Sequence, residues 1–349
     1  MTDQDCAEDV LATASPDIDD ARAAQLARQH FGVDAAVRRL TGERDRNFHL
    51  RTDEGREYVL KFSHPAEDPR VADFQARALL HVERADPDLP VQRVMPAADG
   101  EPSVWYQAPD APPRVVRLFT YLPGRPLPDA PRSDAQRRNL AQVLARLGLA
   151  LRGFDHPAGA LALPWDIQRT DGVAPLLAHI DDPARRALAE RALARFVDHA
   201  KPALPSLRAQ AIHNDLNLYN VLVDPQDPDR IAGILDFGDM VRAPLINDVA
   251  VAASYQLEPG GQVLQPALGF VAAYHQVSPL ERAEVDVLFD LMMARLVMVV
   301  AIGGWRAARY PENRDYILRN NAVSWSRLQA CDDMPRERAR EQLRAACGY

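Results

Sequence analysis

Lysine is nearly missing from this chain: of its 41 basic residues only Lys61 and Lys201 are lysine, the rest being arginine. Cysteine is scarce too. Cys6, Cys331 and Cys347 are odd in number and scattered, which excludes a disulfide framework and zinc-finger spacing and points to a reducing compartment. No apolar run is long enough to span a bilayer. The longest, residues 291–305, is interrupted by Arg295 and reads as a buried helix. The opening MTDQDCAEDV lacks the apolar core of a secretory signal, so the expected location is the cytoplasm, with no membrane partner. There is no basic excess either: 49 acidic against 41 basic residues give a charge of −8, which argues against nucleic acid and suits an amine-bearing ligand. Internal repeats and low-complexity segments are absent, and no pattern speaks to oligomeric state.

What remains is ordinary globular composition, 47% hydrophobic and 26% charged. Residues 17–31 predict an opening helix that stops at Gly32. Residues 48–50 and 58–62 flank a turn at Asp53, Glu54 and Gly55, a hairpin signal. A helix over 71–84 and strands near 91–95, 103–106 and 115–121 follow. At Leu122, Pro123 and Gly124 the texture changes. Ser133 is a candidate N-cap for a helix to Arg152, and further helices are expected at 183–199, 244–257, 263–276, 279–303, 313–329 and 335–346. The outline is α+β, with a small β-rich lobe (1–122) carrying one main helix and a larger helical lobe (123–349).

One β-rich island, residues 211–238, interrupts the helices: AIHNDLNLYNVLVDPQDPDRIAGILDFG. Two apolar strands around a turn rich in Asp and Pro would form a hairpin. Its outer ends would then lie side by side, His213-x-Asp215-x4-Asn220 on one and Asp236–Phe237–Gly238 on the other. Phosphoryl transfer needs such a set, because its catalysis is mainly positioning and charge neutralisation. Asp215 would take the proton of an acceptor hydroxyl. Asn220 and Asp236 would give Mg²⁺ hard oxygen ligands. The Asp–Asn spacing followed by D-F-G matches a kinase signature, and His213 is expected to hold the loop rather than carry a proton.

Lys61 ends the apolar run Y-V-L-K, where a charge needs a reason. A chain that otherwise writes arginine keeps here the compact point charge that suits a nucleotide phosphate. Upstream, residues 41–48 stand where a phosphate-covering loop belongs, but with one glycine they are not a G-x-G-x-x-G loop. Either Arg44, Arg46 or backbone amides contact phosphates there, or the segment is only a polar hairpin turn.

Together these residues resemble the aminoglycoside phosphotransferase and choline kinase superfamily, which has the two-lobed protein-kinase-like fold. The chain is most similar to its hydroxylysine kinase branch; similar modules also occur fused to class III aminotransferases. The resemblance runs from G-E-R-D-x-N-F (42–48) through L-F-T-Y-L-P-G (118–124), W-D (165–166) and H-N-D-L-N-L-Y-N-V-L-V (213–223). It continues to G-I-L-D-F-G-D-M (233–240) and Asn247–Asp248–Val249–Ala250. It implies Asp215 as catalytic base, Asn220 and Asp236 as Mg²⁺ ligands, and Lys61 as a phosphate contact. The backbone of Thr120, Tyr121 and Leu122 would meet the base of ATP or GTP. Protein-kinase activity is disfavoured, since Asn217 stands where such enzymes usually place lysine and a helix expected at 244–257 leaves no room for a long activation loop. One departure concerns the helix that should offer a glutamate to Lys61, which has Gln75 there. Either Gln75 holds Lys61 by a neutral hydrogen bond, or Asp73 or another carboxylate substitutes.

The acceptor is expected to be a small hydroxylated molecule bearing an amine. Asp248 and Asp166 are the first candidates to receive its ammonium, with Glu258, Asp286 and Asp290 behind; Trp165, Tyr255, Trp305 and Trp325 are candidate stacking surfaces. The leading reading is a hydroxylysine kinase-like transfer to an amino alcohol or hydroxyamino acid. The competing readings are an aminoglycoside phosphotransferase, a homoserine- or choline-type kinase, and a regulatory nucleotide-binding pseudokinase.

Overall fold

The structure, a computed structural model, describes residues 17–40, 45–108 and 112–349. The expectations for Cys6 and for residues 41–44, Arg44 included, lie outside them. Helix α1 (Asp20–Phe31) starts later than its sequence suggests, because the Asp19 carboxylate accepts the Arg22 N–H at 2.7 Å and caps it; Gly32 closes it at φ 66°. Strands β1 (Ala36–Leu40), β2 (Arg46–Arg51) and β3 (Glu57–Phe62) form an antiparallel meander. Helix α2 (Pro69–Ala85) follows, with Asp68 as N-cap and Pro69 in its first turn. Strands β4 (Val94–Met95), β5 (Val104–Tyr106) and β6 (Arg114–Thr120) complete a sheet of order β1-β2-β3-β6-β4, in which β5 also pairs with β6.

Alternation along β2 and β3 gives that sheet two different faces. Phe48, Leu50, Tyr58, Leu60 and Phe62 pack with Ala23, Leu26 and Ala27 of α1. Asn47, Lys61 and Arg117, adjacent in the register, share the opposite face.

The chain then crosses to the helical part through a short strand, β7 (Arg125–Pro126). Gly124 is required there, since a β-carbon would lie 2.8 Å from Leu222 Cβ. Helix α3 (Asp134–Ala150) is capped by Ser133, and α4 (Pro183–Arg195) follows a 3₁₀ stretch, Ile167–His179, that periodicity does not foretell. Next come β8 (Ala209–Ile212), β9 (Val221–Val223), β10 (Ile231–Ile234) and β11 (Val241–Pro244), then α5 (Leu245–Ser254), α6 (Gln265–Val277) and α7 (Arg282–Arg309). A one-turn helix, Arg314–Ile317, precedes α8 (Asn321–Asp332) and α9 (Arg336–Ala346).

The single helix expected at 313–329 is therefore broken. At the break the Arg319 guanidinium lies 4.0 Å from the Tyr219 ring and 4.4 Å from that of Tyr316. Helix α7 is buried on nearly all sides and forms the spine of the larger core. Among the described residues no helix is long and apolar enough to cross a membrane.

Candidate active site

Two pairings assemble the site. The β9–β10 hairpin sets Val221 opposite Ile234, and the Leu235 N–H donates to Asn220 O at 2.8 Å. Strand β11, which the sequence does not reveal, pairs antiparallel with β8 and sets Val241 opposite Ile212. The loop holding Asp215 therefore leaves β8 beside the point where the loop holding Asp236 ends.

Both loops contain a left-handed residue other than glycine, Asn214 (φ 65°) and Asp236 (φ 58°). That conformation is costly for most side chains and is held here by local bonds. Asp248, buried on α5, accepts the N–H groups of His213 (3.2 Å) and Asn214 (2.8 Å). Asn214 Nδ2 donates to Asp239 O at 3.1 Å. His213 Nδ1 accepts the Asp215 N–H at 3.2 Å while Nε2 lies 3.0 Å from Leu235 O, which puts the ring proton on Nε2. Asp236 turns its carboxylate back onto the Gly238 N–H at 3.1 Å.

The carboxylate of Asp215 is engaged at both oxygens. Oδ2 accepts from Asn217 Nδ2 and Asn220 Nδ2, each at 2.9 Å, and Oδ1 pairs with the Arg295 guanidinium from α7. Burial pushes the Asp215 carboxyl up to about 6 in spite of Arg295, and the nearby Asp239 and Asp236 charges add to the rise. Because Asn220 spends its Nδ2 on Asp215, its Oδ1 remains to ligate a cation, as does the half-exposed carboxylate of Asp236. One amide oxygen and one carboxylate fit Mg²⁺, a hard cation that takes few protein ligands and completes its shell with phosphate and water.

Lys61 reaches this edge from β3, with Nζ 3.9 Å from Asp236 Oδ1. Its close partner is neither Gln75 nor Asp73 but Asp45, whose Oδ2 lies 2.9 Å away and whose Oδ1 accepts the His64 N–H at 2.9 Å. Burial opposes the charge on Lys61, but Asp45 and then Asp236 outweigh it and raise the ammonium above its ordinary range. Gln75 is engaged elsewhere. Its Oε1 accepts from the fully buried Arg117 at 2.7 Å, and its Nε2 donates to Gly238 O at 3.3 Å. Asp73 pairs with Arg77 and His156.

Several expectations need correcting. Arg46 stands opposite Phe62 in the register, on the sheet face away from Lys61, and lies near Arg114. It is Asn47 that shares the face of Lys61. Asp248 is buried and already receives two backbone amides, one on each oxygen, so it holds the loop of Asp215 in place. Asp166 is buried as the N-cap of the 3₁₀ stretch, bonded to the Gln168 N–H at 3.0 Å and to its side chain. Glu258, Asp286 and Asp290 pair with Arg137, Arg344 and Arg336. Trp165 and Tyr255 flank Arg295, their ring centres 5.1 and 6.0 Å from its guanidinium. At the strand end, the Thr120 N–H donates to Arg93 O and its carbonyl accepts from Gln92, while the Tyr121 N–H donates to Glu57 O. Leu122 packs on Gly233.

Sequence reasoning does not single out Asp45 or Arg295 as site residues. Their signals are an acid two residues before the register partner of Lys61, and one arginine inside an otherwise apolar run.

The pattern of the phosphotransferase enzyme family matches residues 36–288. The chain belongs to this family. A hydroxylysine kinase of Mus musculus is 26% identical over 95% of this chain and 93% of its own length. The solved structure of a microcompartment-associated aminopropanol kinase superposes with a TM-score of 0.69 at 23% identity, covering 94% of this chain and 99% of that one. An amicoumacin kinase, solved with AMP-PNP, Ca²⁺ and Ami, gives 0.65 at 14% identity over 91% of this chain and 95% of that one. As a phosphotransferase of this family the chain is an enzyme, a kinase that phosphorylates hydroxyl groups of small molecules.

Proposed function

We propose that the protein transfers the γ-phosphate of ATP or GTP to the hydroxyl of a hydroxyamino acid or amino alcohol, in the manner of a hydroxylysine kinase. The observation that carries this reading is the meeting of Asp215, Asn220, Asp236 and Lys61 at one edge. Similarity over nearly the whole length to hydroxylysine kinases supports the acceptor class.

In this reading the nucleotide lies under the sheet, and Lys61 holds its phosphates. Because Thr120 and the Tyr121 N–H are already bonded, the nucleobase meets the Tyr121 carbonyl and the Leu122 N–H. Asn220 Oδ1 and Asp236 would hold Mg²⁺, whose charge would offset that of the phosphates. Asp215 orients the acceptor hydroxyl and accepts its proton as oxygen bonds to the γ-phosphorus, while the bond from that phosphorus to the β-phosphate breaks and nucleoside diphosphate leaves.

The test follows nucleoside diphosphate release with Mg²⁺ and either nucleotide across 5-hydroxylysine, homoserine, choline, ethanolamine and an aminoglycoside. Acceptor-dependent release with one of the first four, lost in Asp215→Ala, is expected. Release with the aminoglycoside alone would overturn the assigned class.

A further inference from the structure

The acids that could have received an ammonium group are committed to backbone amides or to arginines. The charged side chain that does touch the base is a cation. Arg295 is 2% exposed, and its Nη2 bonds Asp215 Oδ1. Its remaining donors are poorly used: Nη1 lies 3.4 Å from Trp165 O, Nη2 lies 3.5 Å from the Tyr255 hydroxyl, and buried Nε has no hydrogen-bond partner. A guanidinium carries five N–H donors and favours planar, two-point contact with an oxyanion. Burying one is costly unless it is paired, and the carboxylate it is paired with here is the proton acceptor itself. While that pairing stands, Asp215 is bonded at both oxygens and an incoming hydroxyl must share Oδ1 with a cation. A second anion would resolve the competition.

We propose that Arg295 recognises a carboxylate on the acceptor, and that this carboxylate draws Arg295 off Asp215 so that Oδ1 is open to the hydroxyl. The inference rests on the phosphotransfer reading above and narrows it, from amino alcohols and hydroxyamino acids together to the hydroxyamino acids. A carboxylate three or four bonds from the reacting carbon sits about 4–6 Å from it at ordinary bond lengths, which is within reach of a group already touching the base. Trp165 and Tyr255 keep the guanidinium in place by their ring faces during the exchange.

The experiment compares acceptors that differ only in the carboxylate: homoserine against 3-aminopropan-1-ol, and 5-hydroxylysine against 1,5-diaminopentan-2-ol. Each is assayed with Mg²⁺ and nucleotide on the full chain. The parent enzyme is expected to favour the amino acid of the pair it uses by about 10- to 100-fold in kcat/KM, the worth of a charge-assisted contact. Arg295→Gln should erase that preference mainly through the KM of the amino acid, and Arg295→Lys should keep part of it. Equal use of the decarboxylated partner by the parent enzyme overturns the inference and leaves phosphotransfer standing. So does an Arg295→Gln enzyme that keeps the ratio, or that loses kcat equally for both members, as a mere positioning role for Asp215 would require. Turnover of no member of either pair removes the phosphotransfer reading for these acceptors, and the inference with it. Should Arg295→Gln fail to fold, the parent ratios and Arg295→Lys still decide.

Discussion

Among single residues, Lys61 is the clearest case of a side chain whose type is legible in the sequence but whose partner is not. A strand-borne lysine in a chain that almost always writes arginine marks a point charge chosen for a reason. Its carboxylate, however, comes not from the helix but from Asp45 at the start of β2, and no spacing rule links the two. The helix position holds Gln75, which ties Arg117 to the carbonyl of Gly238 instead. Lys61 therefore keeps a carboxylate partner despite the missing glutamate, which weakens the pseudokinase alternative. Asp45→Asn should cost about 10- to 100-fold in kcat/KM for nucleotide, the penalty of a misplaced phosphate contact. Steady-state kinetics against nucleotide checks this; a variant with the parent kcat and KM would show that Asp45 is not the working partner.

Between residue and fold, the catalytic elements are readable in unequal measure. The β9–β10 hairpin is visible because two short apolar runs bracket an Asp/Pro turn, but the irregularity between Ile231 and Gly233 that shifts its register is not. Strand β11 is not visible either, since Val-Arg-Ala-Pro has no alternation long enough to register and is extended only because β8 lies beside it. Acids on helices are similarly ambiguous. A sequence shows Asp248 soon after Asp236 but not that its oxygens accept the N–H groups of His213 and Asn214. Removing them leaves two buried amides unpaired beside a left-handed Asn214, so Asp248→Ala should lose about 2–4 kcal/mol of stability. Urea unfolding measures it. Parent stability combined with a raised acceptor KM would instead return Asp248 to the substrate side.

Across the whole molecule, the sheet and the helical part meet at the site through a few specific contacts. Lys61 faces Asp236, Gln75 reaches Gly238, and the Ile234 N–H donates to Pro90 O at 2.8 Å. The composition foretells this division of labour only in outline, because strands cluster before the Leu122–Pro123–Gly124 connector and helices after it. How the parts lock together depends on side chains distant in sequence, and these no local pattern encodes. Bound nucleotide with Mg²⁺ would bridge both parts, and ligand that binds only the folded chain at about 100 times its Kd adds about 2.7 kcal/mol of stability. A rise in Tm with nucleotide and Mg²⁺, reversed by a chelator, is expected in thermal unfolding.

The central claim is that this assembly moves a phosphoryl group to a small hydroxyl and that Asp215 takes the proton. Its most direct test is mass spectrometry of the acceptor after incubation with nucleotide and Mg²⁺, for the parent chain and Asp215→Asn, with nucleotide affinity measured for both. The account predicts one added phosphoryl group on the acceptor with the parent, none with the variant, and similar nucleotide affinity. Tight nucleotide binding by the parent with no phosphorylated acceptor, or equal product from Asp215→Asn, would contradict it.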